Sequence, residues 1–486
     1  MSLKSRFLRG GMQLSAGNAG QQALVFLRNV LIARILGPDQ FGIAITLIIL
    51  TSALEVVTDL GVEKYIIRTD EAQESKLQPT LHTILILRGL VLGLIVFVTA
   101  GFAAQSFGVP EAAPIYQAMA LLPIIKGFKH LDMQRFHREL NYLPDISTSL
   151  IGSISGLLIA VSLGLAWQSF EAMLWVFLGE SVVIVTMSHI LAQRPYRLGL
   201  DEVHLKALFG YGWPLMMNGV IIFLMSQGDR IVVGSQLGVR ELAYYAVASI
   251  LTVGPTTIVM RVSGALFLPL LSDANIDAIE KIRRYEISVA FTFVFSLVIT
   301  LAFIFYGIPL AELVYGSEYE VPLIVMASLA VAAGAKTMRA WAVTRALASG
   351  NTGQILVANI LRVSGFAGAV VSLQNGYGAS GVAAFVALGE LLAMIYALER
   401  SDKDMERQSL AGRKLSFLYT GIVSVGVIVV LYNTPSWINP INILANCSLL
   451  TLAGIALLFL LPGFRSFLKN QIEQSIVWNK SRTRTK

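Results

Sequence analysis

The chain has 486 residues, of which 55% are hydrophobic and only 14% are charged. Soluble domains usually carry about 25% charged residues, so this composition excludes an ordinary soluble protein. The net charge of +7 resides in short basic blocks between apolar runs, which is typical of membrane orientation signals and not of a nucleic-acid-binding surface.

Apolar segments follow one another along the chain. The basic start MSLKSRFLRGG is like a signal peptide, but Gln21, Gln22 and Arg28 interrupt the apolar core after it, so a retained first helix is predicted. A spanning helix needs about 20 apolar residues. The sequence therefore predicts an all-α polytopic membrane protein with about fourteen transmembrane helices, at 12–36, 41–61, 81–106, 111–131, 142–166, 171–193, 212–234, 241–271, 287–313, 322–348, 353–374, 379–399, 415–432 and 440–464.

The connections between these spans form two alternating sets that differ in their content of basic residues. One set carries short basic blocks, such as Lys64 with Arg68 and Arg283 with Arg284, whereas the other set carries Arg240 as its one basic residue. The positive-inside rule therefore predicts that both termini are cytoplasmic. Because all connections are short, no soluble catalytic domain is predicted and the activity is expected within the bilayer.

A weak internal repeat divides the chain. The segment ARILGPDQFGIAI (33–45) is similar to GSQLGVRELAYYA (234–246), with Leu36 and Gly37 opposite Leu237 and Gly238. Internal duplication is a common plan in transporters. The predicted domains are an N-terminal six-helix bundle (1–200), a C-terminal six-helix bundle (201–400), and two additional helices with a basic cytoplasmic tail (401–486).

Two stretches of the sequence are specific enough to suggest a family. ARILGPDQFGIAI with DLGVEKYIIR, and the run from GYGWPLMMNG to ELAYYAVA (210–248), resemble the oligosaccharide (polysaccharide) flippases of the multidrug/oligosaccharidyl-lipid/polysaccharide exporter superfamily. The resemblance implies a V-shaped pair of bundles in the bacterial inner membrane. It also implies movement of oligosaccharide units linked to undecaprenyl diphosphate from the cytoplasmic to the outer leaflet, for surface polysaccharides such as O-antigen or exopolysaccharide.

Basic residues inside the predicted spans point to the same kind of cargo. An ionised group at a helix centre costs about 2.5–3.5 kcal/mol on insertion scales, so such groups face a protein interior or a wet cavity. Arginine offers a planar fork to phosphate oxygens, and lysine a point charge. The predicted substrate path consists of Arg28, Arg88, Arg261, Lys336, Arg339 and Arg362, whereas Lys126 lies near a helix end and is predicted to reach the interface.

Acidic residues inside the spans have two interpretations. They either exchange protons or sodium during transport or neutralise nearby arginines, and charge pairing is favoured for any single acid. Asp229 occupies the repeat position equivalent to Arg28, which makes it a candidate partner for that arginine. The candidates are Glu55, Asp59, Glu180, Asp229 and Glu390.

Several other functions are weighed against the flippase interpretation. A multidrug or cation antiporter of the same superfamily is expected to have an acid-dominated site, and a lipid II flippase moves a similar diphosphate. A membrane-embedded polysaccharide polymerase or ligase usually needs a large outward loop. No phosphate loop or metal-binding pattern occurs, and Cys447 is alone, so neither a metal nor a cofactor is predicted. The predicted partners are the lipid-linked oligosaccharide, membrane lipids and a polysaccharide polymerase, but no nucleic acid.

Overall fold

The computed structural model describes residues 3–56, 59–68, 74–271, 278–348, 351, 353–404 and 410–432. These residues form helices and short connections, with no β-strand among them. The helices are α1 (Leu3–Val56), α2 (Val62–Arg68), α3 (Glu74–Ser106), α4 (Ala113–Ala118), α5 (Leu121–Gly127), α6 (Asp132–Arg138), α7 (Leu143–Trp167), α8 (Glu171–Ile190), α9 (Glu202–Leu237), α10 (Val239–Leu271), α11 (Ala278–Tyr315), α12 (Leu323–Ala348), α13 (Gly353–Gln374), α14 (Gly378–Asp404) and α15 (Ala411–Tyr432). The predicted all-α fold is confirmed.

The long helices have the dimensions and surface of membrane spans. Ten helices in the described part of the chain are long and apolar enough to cross a bilayer. On α3, Leu94, Val98 and Phe102 follow one another at helical spacing and are among the most exposed apolar side chains. An exposed apolar face of this kind is stable only against lipid or another protein. The chain is therefore a multi-pass membrane protein.

Two glycines break the helices at the repeated motif. Gly37 interrupts α1 with φ 69° and ψ 173°, and Gly238 separates α9 from α10 with φ 93° and ψ 170°. This region of backbone space is essentially restricted to glycine. The two segments that match in sequence thus share a rare backbone conformation, at the joints between predicted spans 12–36 and 41–61 and between 212–234 and 241–271.

The predicted span 111–131 is wrong as one continuous helix. A 3₁₀ turn (Pro110–Ala112) precedes α4, and α4 and α5 are separated at Met119. Proline has no N–H to donate, so Pro123 cannot bond to the carbonyl of Met119 in the usual α-helical pattern. That carbonyl instead accepts the N–H of Leu122 at 3.0 Å, which tightens the chain into a turn.

The other predicted spans up to residue 432 match described helices, with ends that differ by several residues. The arginines within 12–36 and 241–271 do not interrupt α1 or α10. Predicted span 440–464, which contains Cys447, and the basic tail lie outside the described residues. Because spans 12–36 and 41–61 also join within α1, the count of fourteen stays approximate.

The chain divides into two compact units. The first unit contains the residues up to Tyr244 together with Val314–Tyr319, and its strongest packing joins α7 to α8 and α1 to α7. The second unit contains Tyr245–Leu313 and the residues from Glu320 onward, where α14 packs against both α12 and α13. The domain boundaries predicted at residues 200 and 400 stay a prediction.

Candidate functional site

One buried ion pair joins α1 to α8 in the first unit. Arg28 Nη1 lies 2.5 Å from Glu180 Oε2, and the Arg28 guanidinium lies over the ring of Phe177. Ser153 on α7 donates a hydrogen bond to the other carboxylate oxygen at 3.2 Å. The carboxylate that neutralises Arg28 is therefore Glu180 and not the predicted Asp229, whose Oδ1 accepts the backbone N–H of Arg230 at 2.9 Å.

A glycine on α7 makes room for this pair. A Cβ atom at Gly156 would lie 3.0 Å from Glu180 Oε2 and 3.3 Å from Arg28 Nη1, which is closer than most real contacts. Gly152, one turn earlier, faces Ile184 in the same way. The small residues of α7 therefore let the α8 backbone approach closely and let the ion pair lie between α1, α7 and α8.

A second buried cluster lies in the second unit. Glu390 on α14 accepts a hydrogen bond from Arg362 Nε on α13 at 2.6 Å, and its other oxygen accepts one from Arg339 Nη2 on α12 at 3.4 Å. The three side chains are 8%, 16% and 7% exposed, respectively. One carboxylate thus ties together three helices through two guanidinium groups.

The remaining predicted path residues have different surroundings. Lys336 lies one turn before Arg339 on α12 and is half-buried. Arg261 belongs to α10, but its side chain lies outside the described residues. A role in the substrate path stays a prediction for each residue of the set.

A cavity of about 440 Å³ lies within the first unit, and it is the strongest candidate for a ligand site. Its volume falls in the range typical of small-molecule sites. Of the predicted path residues, Arg88 lines it, together with the acids Glu55 and Asp59. The other charged lining residues are Glu63, Lys126 and Lys129. Three basic and three acidic side chains therefore face one another around this space.

Two of the basic residues pair with acids at the cavity wall. Lys126 Nζ contacts Glu55 Oε1, and Lys129 Nζ lies 2.8 Å from Glu63 Oε1. Asp59 lies 3.6 Å from Lys64 and accepts the backbone N–H of Gly61 at 2.8 Å. Both Glu55 and Glu63 are 54% exposed, whereas Lys126 and Lys129 are 36% and 24% exposed, so the carboxylate is the more open partner of each pair.

The broken helix and a pair of glycines shape the cavity. Gly89 on α3 lies against the Pro123 carbonyl, where a Cβ would come within 2.4 Å, and Gly93 packs similarly on Ala120. This close approach brings α5 beside α3, so Lys126 and Arg88 face the same space. Arg88 lies about 20 Å along α3 from its start, and Lys126 lies at nearly the same level, because Gly127 packs on Leu85 and Gly89 packs on Pro123.

Sequence reasoning missed the contribution of Glu63, Lys126 and Lys129 to this cavity. Lys126 is predicted at the interface, and Lys129 is not among the predicted site residues. The acids Glu55 and Asp59 repeat every four residues, and Glu63 continues that spacing beyond the end of α1. Glu63 could have been predicted by continuing this four-residue spacing past the end of α1.

A cluster of histidines near the same end of the first unit was also missed. His82 is fully buried; its Nε2 accepts the N–H of Leu131, so its Nδ1 donates to the carbonyl of Arg197. His130 likewise accepts the N–H of Asp132 and donates to the carbonyl of Arg194. Both ring nitrogens of each histidine are engaged in hydrogen bonds. These rings therefore link the connections between helices and have no nitrogen left to bind a metal.

Asp132 completes this set of connections. Its carboxylate accepts hydrogen bonds from Arg135 Nε at 2.6 Å and from the backbone N–H groups of Gln193 and Arg194. Burial alone would raise the pKa of Asp132, but these donors outweigh it and hold the pKa below its usual value. The charged form of Asp132 therefore stabilises the folded connection between α6 and the segment after α8.

Comparison with known proteins assigns the family. A family described as polysaccharide biosynthesis protein matches residues 31–323, which is more than half of the chain. The chain belongs to the polysaccharide biosynthesis protein family. The matched region includes both glycine joints and every charged residue of the cavity.

Two curated relatives share low sequence identity with this family member. The succinoglycan biosynthesis transport protein ExoT of Rhizobium meliloti (strain 1021) is 22% identical over 326 residues, which cover 65% of this chain and 64% of that protein. The lipopolysaccharide biosynthesis protein WzxC of Escherichia coli (strain K12) is 22% identical over 289 residues, which cover 58% of each. The chain thus spans less than two thirds of the curated relatives that it matches.

Solved structures show the fold of this family member more completely. The lipid II flippase MurJ in an inward closed conformation aligns with a TM-score of 0.70 at 14% identity, covering 94% of this chain and 100% of that chain. An inward-facing multidrug resistance MATE family transporter of the MOP superfamily aligns with a TM-score of 0.61 at 15% identity, covering 80% and 96%. The chain therefore has the fold of this transporter superfamily.

Proposed function

We propose that this protein is a flippase of the bacterial inner membrane. It moves oligosaccharide units linked to undecaprenyl diphosphate from the cytoplasmic to the outer leaflet by alternating access. These units are then used for the synthesis of surface polysaccharide. Membership of the polysaccharide biosynthesis family supports this function, as do the names of the two curated relatives, one a succinoglycan transport protein and one a lipopolysaccharide biosynthesis protein. The protein acts as a transporter and not as an enzyme.

The observation that carries the proposal is the set of basic side chains held among apolar helices. Arg88, Lys126 and Lys129 face a cavity within a bundle whose outer surface is apolar. An anionic headgroup needs such donors, and the three acids that line the same cavity neutralise them in the absence of a ligand. Arg28, Arg261, Lys336, Arg339 and Arg362 are proposed to contribute the rest of the path.

The proposed orientation places the N- and C-termini in the cytoplasm, with the basic connections on the same side. The proposed architecture is two pseudo-symmetric six-helix bundles followed by two helices. A polysaccharide polymerase on the outer side is a candidate partner, because a translocated unit must be joined to the growing chain.

Deletion of the gene followed by lipid analysis tests the function. Lipid-linked repeat units are expected to accumulate on the cytoplasmic leaflet while surface polysaccharide is lost. Unchanged polysaccharide with altered drug tolerance would overturn the proposal in favour of a multidrug antiporter.

A triple variant tests the path in the second unit. Neutralising Lys336, Arg339 and Arg362 together with glutamine is expected to abolish surface polysaccharide while the protein remains inserted in the membrane. Normal export by the inserted triple variant would remove these residues from the path.

Lipid II flipping is a second candidate, favoured by the structural match to MurJ over 94% of this chain. Both cargoes carry a diphosphate, so the basic residues do not distinguish them. Restoring growth to a strain depleted of its lipid II flippase would support the second candidate. Failure to restore growth, with accumulated polysaccharide repeat units in the deletion strain, would support the first.

A further inference from the structure

We propose that the cavity of the first unit is where the diphosphate of the lipid first binds, by exchange of ion pairs. In this exchange the diphosphate takes the place of Glu55 beside Lys126 and of Glu63 beside Lys129, while Arg88 contacts it from α3. This inference rests on the proposed flippase function and assigns the cargo's charged group to a particular site.

The exposure of the two ion pairs makes exchange favourable. Exposed pairs between lysine and a carboxylate typically contribute only about 0.2–1 kcal/mol. Glu55 and Glu63 are about half exposed, so water solvates each carboxylate when it leaves its lysine. A diphosphate brings more negative charge and more acceptor oxygens than a carboxylate, so it competes well for the same ammonium groups.

The three acids of the cavity also explain how an empty site is tolerated. Three cations around an empty cavity among apolar helices would repel one another and would be costly to insert. Glu55, Asp59 and Glu63 balance Arg88, Lys126 and Lys129 in the absence of a ligand. The acids thus act as resident counterions that an anionic ligand replaces.

The arrangement along the chain fits a lipid headgroup entering from one leaflet. Lys129 and Glu63 lie outside the long helices, in connections with the sequence signature of the cytoplasmic side. Lys126 follows on α5, and Arg88 lies about 20 Å into α3. A phosphate group at the inner interface meets Lys129 first and then Lys126 and Arg88, which lie at nearly the same level. The cavity volume of about 440 Å³ suits the diphosphate with little of the attached sugar.

The first test measures binding of geranyl diphosphate to the full chain in phosphatidylcholine nanodiscs. Lys126→Gln is expected to weaken binding by at least about tenfold, because it removes a charge-assisted donor. Glu55→Gln is expected to tighten binding by about two- to fivefold, because it removes the competing carboxylate. If the ion pair is merely structural, Glu55→Gln brings no gain in affinity for geranyl diphosphate. Weaker or unchanged binding in this variant would therefore overturn the proposed exchange.

A matched control is the pair Lys206–Glu202, which has a similar 2.6 Å contact on the surface of α9 and does not line the cavity. Lys206→Gln and Glu202→Gln are expected to leave binding unchanged. Inorganic diphosphate is expected to compete weakly, because it shares the recognised group but lacks the lipid chain. Inorganic diphosphate binding as tightly as geranyl diphosphate would overturn the assignment to a lipid.

A second test locates the ligand without altering any charge. With Cys447 replaced by alanine, Ser149→Cys places one thiol in the cavity wall. Geranyl diphosphate is expected to slow labelling of this thiol by a charged methanethiosulfonate reagent by about fivefold or more, as expected for a site occupied most of the time. Labelling at an unchanged rate, at a concentration that saturates binding, would place the ligand elsewhere.

Failure of this inference is distinguishable from failure of the proposed function. If the wild type binds geranyl diphosphate but the cavity variants bind it equally well, the cavity assignment is wrong and the flippase function stands. If the deletion strain accumulates no lipid-linked units and the wild type does not bind the probe, both are wrong.

Discussion

The cavity of the first unit and the arginine cluster of the second unit hold charge among apolar helices in opposite ways. At the cavity, Glu55 and Lys126 are 54% and 36% exposed, and three acids line the same space as the three cations. In the second unit, Glu390 is 8% exposed and lies between Arg339 and Arg362. A wet ion pair contributes little stability and exchanges partners easily, whereas a dry one is costly to break. Solvent exposure therefore separates ion pairs that exchange partners readily from ion pairs that are costly to break.

Glu390→Gln gives the largest expected effect on stability. The change removes the carboxylate between two buried guanidinium groups, and breaking a buried ion pair costs about 3–5 kcal/mol. Glu55→Gln at the exposed cavity is expected to cost less than about 1 kcal/mol. Thermal unfolding of both purified variants in one detergent measures the difference.

Arg339→Gln serves as the control for Glu390→Gln. It leaves the shorter contact between Arg362 and Glu390 at 2.6 Å in place, so a smaller loss is expected than from Glu390→Gln. Equal losses from Glu390→Gln and Glu55→Gln would show that exposure does not distinguish the two regions.

Gly156→Ala tests another buried ion pair, the one between Arg28 and Glu180. A methyl group there crowds both charged side chains, and overpacking of this kind costs about 1–3 kcal/mol. Gly164 lies two turns later on α7, where a Cβ would make ordinary 3.5 Å contacts with Ile32 and Ile35. Gly164→Ala is therefore expected to be neutral or stabilising, by up to about 1 kcal/mol. Melting temperatures that fall equally in both variants would contradict the close approach at Gly156.

Asp132 extends the comparison to pH. Because the folded state lowers the pKa of Asp132, its contribution to stability is present above the unfolded pKa of about 3.9 and is lost as the pH falls through the folded pKa. The melting temperature of the wild type is expected to fall in this acidic range more steeply than that of Asp132→Asn. Parallel pH profiles for the two proteins would show that the charge of Asp132 does not stabilise the fold.

Much of the fold was predictable because membrane insertion imposes a strong length and polarity rule. Apolar runs predicted the long helices, and the failure at 111–131 has a local cause: Pro123 removes a hydrogen-bond donor that an apolarity scan does not consider. The pair of glycine joints was predictable as a sequence repeat. Their shared positive φ, however, is a backbone property that the letters alone do not determine.

The charged clusters were only partly predictable. Depth within a span selected Arg339, Arg362 and Glu390, and the structure brings these three together. Arg28 was expected near Asp229 from the repeat, but its carboxylate comes from Glu180 on a helix distant in sequence. Lys129 and Glu63 were missed because they lie in connections between the long helices. A basic residue in such a connection, like Lys129, is usually interpreted as an orientation signal. Partner choice across helices depends on packing, which one sequence does not encode in any local pattern.

An ion pair next to the two glycine joints bears on the evolution of the chain. Asp39 and Arg240 occupy equivalent positions two residues after Gly37 and Gly238, and their side chains face each other at 3.6 Å. If the two segments descend from one duplicated ancestor, the same residue once stood at both positions, so no pair of opposite charges joined them there. The opposite charges at these two positions are then a difference between the two copies that arose after duplication. An exposed ion pair of opposite charges now joins the two copies of the motif, which no longer carry the same residue at this position.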